Sequence, residues 1–369
     1  MTADLSGPRP GPGRFPLVFL PGREYITGKD PPVMRIPETR HRKECQIMKI
    51  TLEQLRPLTR GAVRITEEDG YFRFYRFSEA QQAVYNENVR GVAASAIRLE
   101  FETDAASFAL SGSIRSGSSR NFYYFDIFVN GVFCRHEGAE SYQEHPDFSF
   151  EVPLTEGKIS RVAVYFPCLS AVLISSLEFH GGKILLPVWK KRRMTCFGDS
   201  ITQGYDARYP SLAYPNQLAD AWSAEVFNKA IGGDIFRPAL AAAEDPVRPD
   251  LITVAYGTND WSHCSREEFQ HNGTEFFRIL TEKHPGVPVY VLLPIWRVNC
   301  ETRQTALGSF MEMHDAIREF CEPYPQITVV NGWPLVPHLE ACYSPDGVHP
   351  NDFGFQFMAR NLLRAIRLK

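Results

Sequence analysis

The sequence predicts an α/β protein in two parts: a C-terminal three-layer α/β/α domain on a parallel sheet and, ahead of it, an all-β jelly-roll or sandwich domain. Three observations predict it. From about Ile50 to His180, apolar and polar residues alternate in short runs broken by turn signals, the pattern of half-buried antiparallel strands. From Lys191 onward, near-continuous apolar runs alternate with helix-period stretches, as strands buried on both faces of a parallel sheet require. The length, 369 residues, exceeds what one core commonly fills at roughly 150 residues per domain. The resulting division is 1–47, 48–185 and 190–369.

Segment 1–47 is punctuated by Pro8, Pro10, Pro12, Pro16, Pro21, Pro31, Pro32 and Pro37 among several arginines. No hydrophobic period survives that many prolines, so a disordered or non-native extension is expected, with Met48 as the natural start. In the all-β part, residues 71–77 carry aromatics at two-residue spacing. Ile97, Leu99 and Phe101 alternate with Arg98, Glu100 and Glu102, which predicts a strand with one polar, solvated face. Asn130-Gly131 between two apolar runs is a hairpin signal, because both residues tolerate positive φ. In the second part, strands are expected at 194–197, 226–228, 251–256 and 287–295. Helices are expected at 214–224, 266–282, 305–320 and 352–366. In the last helix Phe353, Phe357, Met358, Leu362 and Ile366 recur at helical steps and predict its buried face.

Charge and cysteine usage narrow the class. Forty basic and 43 acidic side chains leave a formal charge of −3, no footprint for nucleic acid or acidic membranes. No apolar run approaches the ~20 residues that cross a bilayer. The eight cysteines are irregularly spaced with no C-x-x-C pair, which suggests neither a zinc knuckle nor a disulfide framework. Residues 15–20 are too short and too interrupted for a secretory signal. A cytoplasmic protein without a metal is the expectation.

Each predicted strand end in the second part is followed by a polar, glycine-bearing block. Gly198-Asp199-Ser200 follows the first strand and Ile231-Gly232-Gly233-Asp234 the second. Gly257-Thr258-Asn259-Asp260 follows the third, and Asp346-Gly347-Val348-His349 opens the last helix. Singly these are weak signals: a Gly-Asp-Ser triplet is usually a turn, and Asn259-Asp260 is a plausible helix cap. Together, in this order, they resemble the SGNH/GDSL-type hydrolases, serine esterases with a flavodoxin-like α/β domain. The resemblance covers about residues 192–369. With a β-sandwich ahead of it, the chain is also similar to the family two carbohydrate esterases, which remove acetyl groups from sugars.

The residue types fit that chemistry. A serine hydroxyl attacks only when a base takes its proton, and Ser200 sits on a tight turn where Oγ would be presented at the sheet edge. His349 is the candidate base; Asp346, three residues before it, would turn back to Nδ1 and fix the tautomer. The resemblance implies an oxyanion hole from the backbone N–H groups of Ser200 and Gly233 and the side-chain amide of Asn259. Gly233 rather than Gly232 is favoured by register alone. Asp199 and Asp260 are expected to bind loop amides. Trp261, Trp296 and Trp333 follow strand ends, so Trp261 and Trp296 are candidate sugar-stacking residues, with half-buried packing as the alternative. Arg297 is either a substrate contact or a surface residue. Cys196 reads as a core thiol, and His263-Cys264 lacks a second ligand pair.

The expected activity is hydrolysis of small acyl esters, acetyl esters of carbohydrate above all, through an acyl-enzyme on Ser200 and with no cofactor. The partner would be a small-molecule or oligosaccharide ester. An acyltransferase with the same triad, or a lysophospholipase or thioesterase, fits the same residues. A non-catalytic carbohydrate-binding protein fits them less well, because every expected catalytic position is filled. Oligomeric state is not encoded in any of these signals.

Overall fold

A computed structural model describes residues 34–35, 47–85 and 89–368. The 1–47 extension expected to be disordered or non-native therefore lies outside the described residues, apart from Met34–Arg35 and Ile47. Met34–Arg35 pairs antiparallel with Ile184–Pro187. The described residues form one compact unit.

Two antiparallel sheets pack face to face over the first half. One orders Met34–Arg35, Ile184–Pro187, Arg98–Thr103, Ser160–Tyr165, Tyr123–Val129 and Val132–Ala139, with Thr59–Arg60 on Arg98–Thr103. The other orders Asp147–Pro153, Ser107–Ser116, Ser170–His180, Tyr71–Tyr75 and Arg64–Glu68, with Ile47–Lys49 on Ser170–His180. The inward residues of both faces form one core. In it Phe125 meets Phe148 at 4.8 Å and Phe166 at 5.7 Å, and Phe101 meets Phe179 at 5.1 Å. Asn130 and Gly131 take φ of 54° and 76°, closing the expected hairpin between Tyr123–Val129 and Val132–Ala139. Two short helices, Leu52–Leu55 and Glu79–Ala83, interrupt the strands; each starts with a capping box, Thr51 to Gln54 and Ser78 to Gln81.

The alternation at 97–102 misleads about one face. Arg98 and Glu100 are 1% and 3% exposed, not solvated. Their side of the sheet is covered by the second half of the chain: Arg98 donates to Asp220 at 2.7 Å and pairs with Glu100 at 3.2 Å. Lys190 reaches Glu100 at 2.7 Å, and the Tyr165 hydroxyl donates to Asp220 at 2.7 Å. Polar residues at a two-residue period here mark a paired ionic contact between the two halves.

The second half holds a five-stranded parallel sheet in the order Ala224–Asn228, Arg192–Gly198, Leu251–Ala255, Val289–Leu292, Ile327–Val330. The second strand of this half lies outside the first, so the chain reverses direction across the sheet between Arg192–Gly198 and Leu251–Ala255. That switch point is where open α/β sheets bind ligands. Helix Tyr214–Trp222 and helix Asp352–Ala365 pack on each other, while Arg266–Lys283 and Phe310–Cys321 contact each other in a separate pair. Two sequence expectations shift. The helix expected at 305–320 starts only at Phe310, because Thr305 and Gly308 exchange backbone hydrogen bonds in a tight turn and Ser309 caps the helix with Glu312. In the last helix Phe353 is 53% exposed and Phe355 is fully buried beside Met358, Ala359 and Leu362. Met358, Leu362 and Ile366 are buried as expected, while Phe353 packs on the half-buried Phe357 at 4.8 Å at the exposed start of the helix.

Candidate active site

The loops leaving both strands at the switch point, joined by the last-helix loop, assemble one cluster. Asp199 caps helix Ser200–Gln203, its carboxylate accepting from the Ile201 N–H at 2.9 Å. Ser200 is thereby the first helical residue, so its N–H has no intrahelical acceptor. Gly198 permits the turn: a Cβ there would run into Thr202 and lie 2.9 Å from the Ala255 carbonyl oxygen.

Ser200 Oγ lies 2.7 Å from His349 Nε2, and His349 Nδ1 lies 2.6 Å from Asp346 Oδ2. With the imidazole proton on Nδ1, it donates to Asp346 and Nε2 accepts from the serine hydroxyl. Asp346 is itself fixed, its Oδ1 accepting from the Val348 N–H at 2.9 Å and the His349 N–H at 3.1 Å. Partial burial opposes its ionisation, but the hydrogen bond with His349 and the two backbone amides outweigh that and hold the carboxyl well below the usual carboxylate range. The loop is braced by Ser344 N–H to the His349 carbonyl at 2.8 Å and Val298 N–H to the Gly347 carbonyl at 2.9 Å.

The second block separates its two glycines. The Gly232 N–H donates to Gln203 Oε1 at 2.6 Å, which ties this loop to helix Ser200–Gln203. The Gly233 N–H has no acceptor among the described residues, and Gly233 sits at φ +83°, where glycine alone is unstrained. The Arg90 guanidinium donates to the Gly232 carbonyl, the oxygen of the same peptide unit that carries the Gly233 N–H. Asn259 Nδ2 donates to the Asp234 carbonyl at 2.9 Å, which anchors its amide one residue from Gly233. Asp260 accepts from the Phe236 and Gly257 N–H groups, both at 3.0 Å, and so joins the second and third blocks. Burial pushes the Asp199 and Asp260 carboxyls up to about 7.

Other candidates are placed elsewhere. Trp261 is not a substrate platform: it is fully buried, its indole N–H donates to the Gly308 carbonyl at 2.9 Å, and its ring packs edge-on against Phe310. Trp296 is half-buried, stacked on His338 at 5.3 Å and edge-on to Tyr343 at 5.2 Å. Trp333 meets the same His338 at 4.6 Å. Arg297 is 8% exposed and bonds the Thr258 carbonyl and Ser262 Oγ, bracing the helix that carries Asn259. Burial pushes the Cys196 and Cys264 thiols up to about 12.

Three neighbours of the triad carried no sequence signal. Asp206 Oδ2 is 3.8 Å from His349 Nδ1, and Tyr205 stacks on the imidazole at 5.2 Å. Arg120, from the β-sandwich, holds Asp206 with two hydrogen bonds of 2.7 and 2.8 Å and reaches Asp346 Oδ2 at 3.3 Å. No local pattern finds Arg120, because it comes from a loop more than 80 residues away from either carboxylate.

Residues 196–357 match the model of the GDSL-like lipase/acylhydrolase family. The chain carries a GDSL-type hydrolase domain. A search of curated proteins found no match. Among solved structures, a salicylyl-acyltransferase, SsfX3, from a tetracycline biosynthetic pathway is similar with a TM-score of 0.75 and 20% identity over 88% of this chain and 97% of its own. A GDSL-like lipase from Bacteroides ovatus gives 0.68 and 18%, over 87% and 97%. A family two carbohydrate esterase from Cellvibrio japonicus gives 0.61 and 16%, over 87% and 98%. These likenesses span both the sandwich and the GDSL-type domain and establish a shared fold.

Proposed function

We propose that this GDSL-type domain is a serine esterase acting on small acyl esters, acetyl esters of carbohydrate in particular. The observation that carries the reading is the Ser200–His349–Asp346 chain of hydrogen bonds, 2.7 and 2.6 Å long, beside an unengaged Gly233 N–H and the anchored Asn259 amide. Ser200 Oγ attacks the ester carbonyl while His349 Nε2 takes its proton. The oxyanion is received by the N–H groups of Ser200 and Gly233 and by Asn259. His349 then gives the proton to the departing alcohol, leaving an acyl ester on Ser200. Water attacks that ester with His349 again as base, and the carboxylic acid and free serine result.

The carbohydrate part of the reading rests on three supports. The fold is shared with a family two carbohydrate esterase. An open groove of about 480 Å³ lies beside Asp206, lined by Phe122, Arg208, Tyr209, Tyr343 and Phe353, a mixture of ring faces and charged groups that suits a hydroxylated chain. Trp296 remains a half-buried aromatic at a strand end. The six buried free thiols among the described residues suit a reducing compartment such as the cytoplasm.

Ser200→Ala tests the reading. It should abolish release of p-nitrophenol from p-nitrophenyl acetate and of acetate from acetylated oligosaccharides, with an unchanged melting temperature. Retained turnover would remove Ser200 as nucleophile. The likeness to a salicylyl-acyltransferase favours one second reading, transfer of the acyl group to another alcohol. Product analysis with added sugar acceptors separates the two, since a transferase yields a new ester where a hydrolase yields free acid.

A further inference from the structure

Within that esterase reading, we infer that the β-sandwich supplies a positioning residue to the catalytic apparatus: Arg120 locks the two carboxylates that face His349 Nδ1 and sets the net charge there. Three observations meet at this point. Arg120 leaves the loop between strands Ser107–Ser116 and Tyr123–Val129, crosses to the GDSL-type domain, and grips Asp206 in a two-bond fork while Nη2 also touches Asp346. Such a fork fixes a carboxylate in both distance and plane, which a lysine does not. Asp206 is held in the left-handed region at φ +63°, so its backbone sits in a region that non-glycine residues seldom occupy. Tyr205 lies between the two machines, its ring 5.2 Å from the His349 ring and 5.4 Å from the Arg120 guanidinium carbon.

The charge arrangement has a chemical consequence. A carboxylate oxygen of Asp206, one of Asp346 and a ring nitrogen of His349 lie within 4.8 Å of one another, a grouping that two unscreened carboxylates would make self-repulsive. The guanidinium is the cation that holds it together. The set then carries one net negative charge facing the imidazole, which is balanced when His349 becomes imidazolium as Ser200 attacks. The other groups facing this ring among the described residues are the Tyr205 ring and Asp199, buried behind the nucleophile. Removing Arg120 leaves two carboxylates against the ring, strengthens its hold on a proton, and lets the carboxylates spread. Removing Asp206 does the opposite to the charge.

The test is therefore one of opposite signs. In Arg120→Met the acid limb of kcat for p-nitrophenyl acetate should move to higher pH by about 0.5–1 unit, and kcat at the plateau should fall about tenfold with KM unchanged. Asp206→Asn should move the limb to lower pH by a similar amount. Arg120→Lys should keep the wild-type limb and lose only part of kcat, since charge is retained and the fork is not. Histidine-selective 15N NMR, with the His349 signal assigned by its loss in His349→Gln, reads the same shifts without turnover. Shifts in one direction only, or none, in variants that melt like wild type would overturn the inference. Should Arg120→Met fail to fold, Asp206→Asn still must move the His349 titration downward. Retained activity in Ser200→Ala sinks the esterase reading; its loss, with unmoved limbs, sinks this inference alone.

Discussion

Asparagine and alanine at position 346 should differ by orders of magnitude, with the closer mimic the more damaging. Asp346 Oδ1 accepts two fixed backbone N–H groups, from Val348 at 2.9 Å and His349 at 3.1 Å, while Oδ2 meets His349 Nδ1 at 2.6 Å. Asparagine has one carbonyl oxygen. Turned with its NH2 toward the backbone it would set donors against two donors, so the oxygen stays there and the NH2 faces Nδ1. Nδ1 must then accept, the ring proton sits on Nε2, and Nε2 can no longer take the Ser200 proton. A triad trapped in that tautomer loses about 10⁴ in kcat, about 5.5 kcal/mol. Alanine removes the carboxylate without imposing a tautomer. Asp206 Oδ2 stands 3.8 Å from Nδ1, so a shift of about 1 Å makes a normal hydrogen bond. The expected loss for Asp346→Ala is about 10²-fold, about 2.7 kcal/mol, and adding Asp206→Asn should bring it down to the asparagine level. Steady-state kcat on p-nitrophenyl acetate at pH 8, with melting curves beside it, measures this. An alanine variant as inactive as the asparagine one, at equal stability, would refute the argument.

Asn259→Ala should lower kcat by about 10²–10³ with little change in KM, since the amide acts on charge that develops only during attack; an equal rise in KM would mark a ground-state contact instead. Arg98→Met should destabilise the fold by about 3 kcal/mol or more, seen as a lower melting temperature, because it strips Asp220 and the buried Glu100 of a charge partner. In thiol labelling at pH 8, Cys134→Ser should remove one fast-reacting equivalent and Cys196→Ser none, because Cys134 is exposed while burial pushes the Cys196 thiol up to about 12 and leaves almost no thiolate. Trp261→Phe should leave KM for acetylated sugars unchanged while lowering stability, the reverse of what a stacking platform predicts.

The local parts of this protein were legible in its amino-acid order. Alternation gave the antiparallel strands, continuous apolar runs gave the parallel ones, and Asn130-Gly131 gave a hairpin, because each depends on neighbours within a few residues. The order of the four polar blocks also placed Ser200, His349 and Asp346, since strand ends and helix starts are where an α/β sheet exposes its loops. Misreadings arose wherever a distant partner decides. Arg98 and Glu100 read as solvated until the facing helix brings Asp220 onto them. Phe353 read as core yet is 53% exposed, and Trp261, left open between platform and packing, proves to be packing because the Gly308 carbonyl and Phe310 hold it. Gly232 and Gly233 were distinguishable only once Gln203 had taken the Gly232 N–H.

By itself, then, the sequence indicated most of the elements, their order and the candidate reacting side chains, because those follow from periodicity and from chemistry carried within single loops, while the edge strand Ile327–Val330 escaped it. Only the tertiary structure decided which charges surround the imidazole, which glycine N–H stays unengaged among the described residues, and that a loop of the sandwich delivers Arg120 to Asp206 and Asp346. Those depend on packing between segments far apart in the chain, and pairings of that kind leave no trace in local spacing.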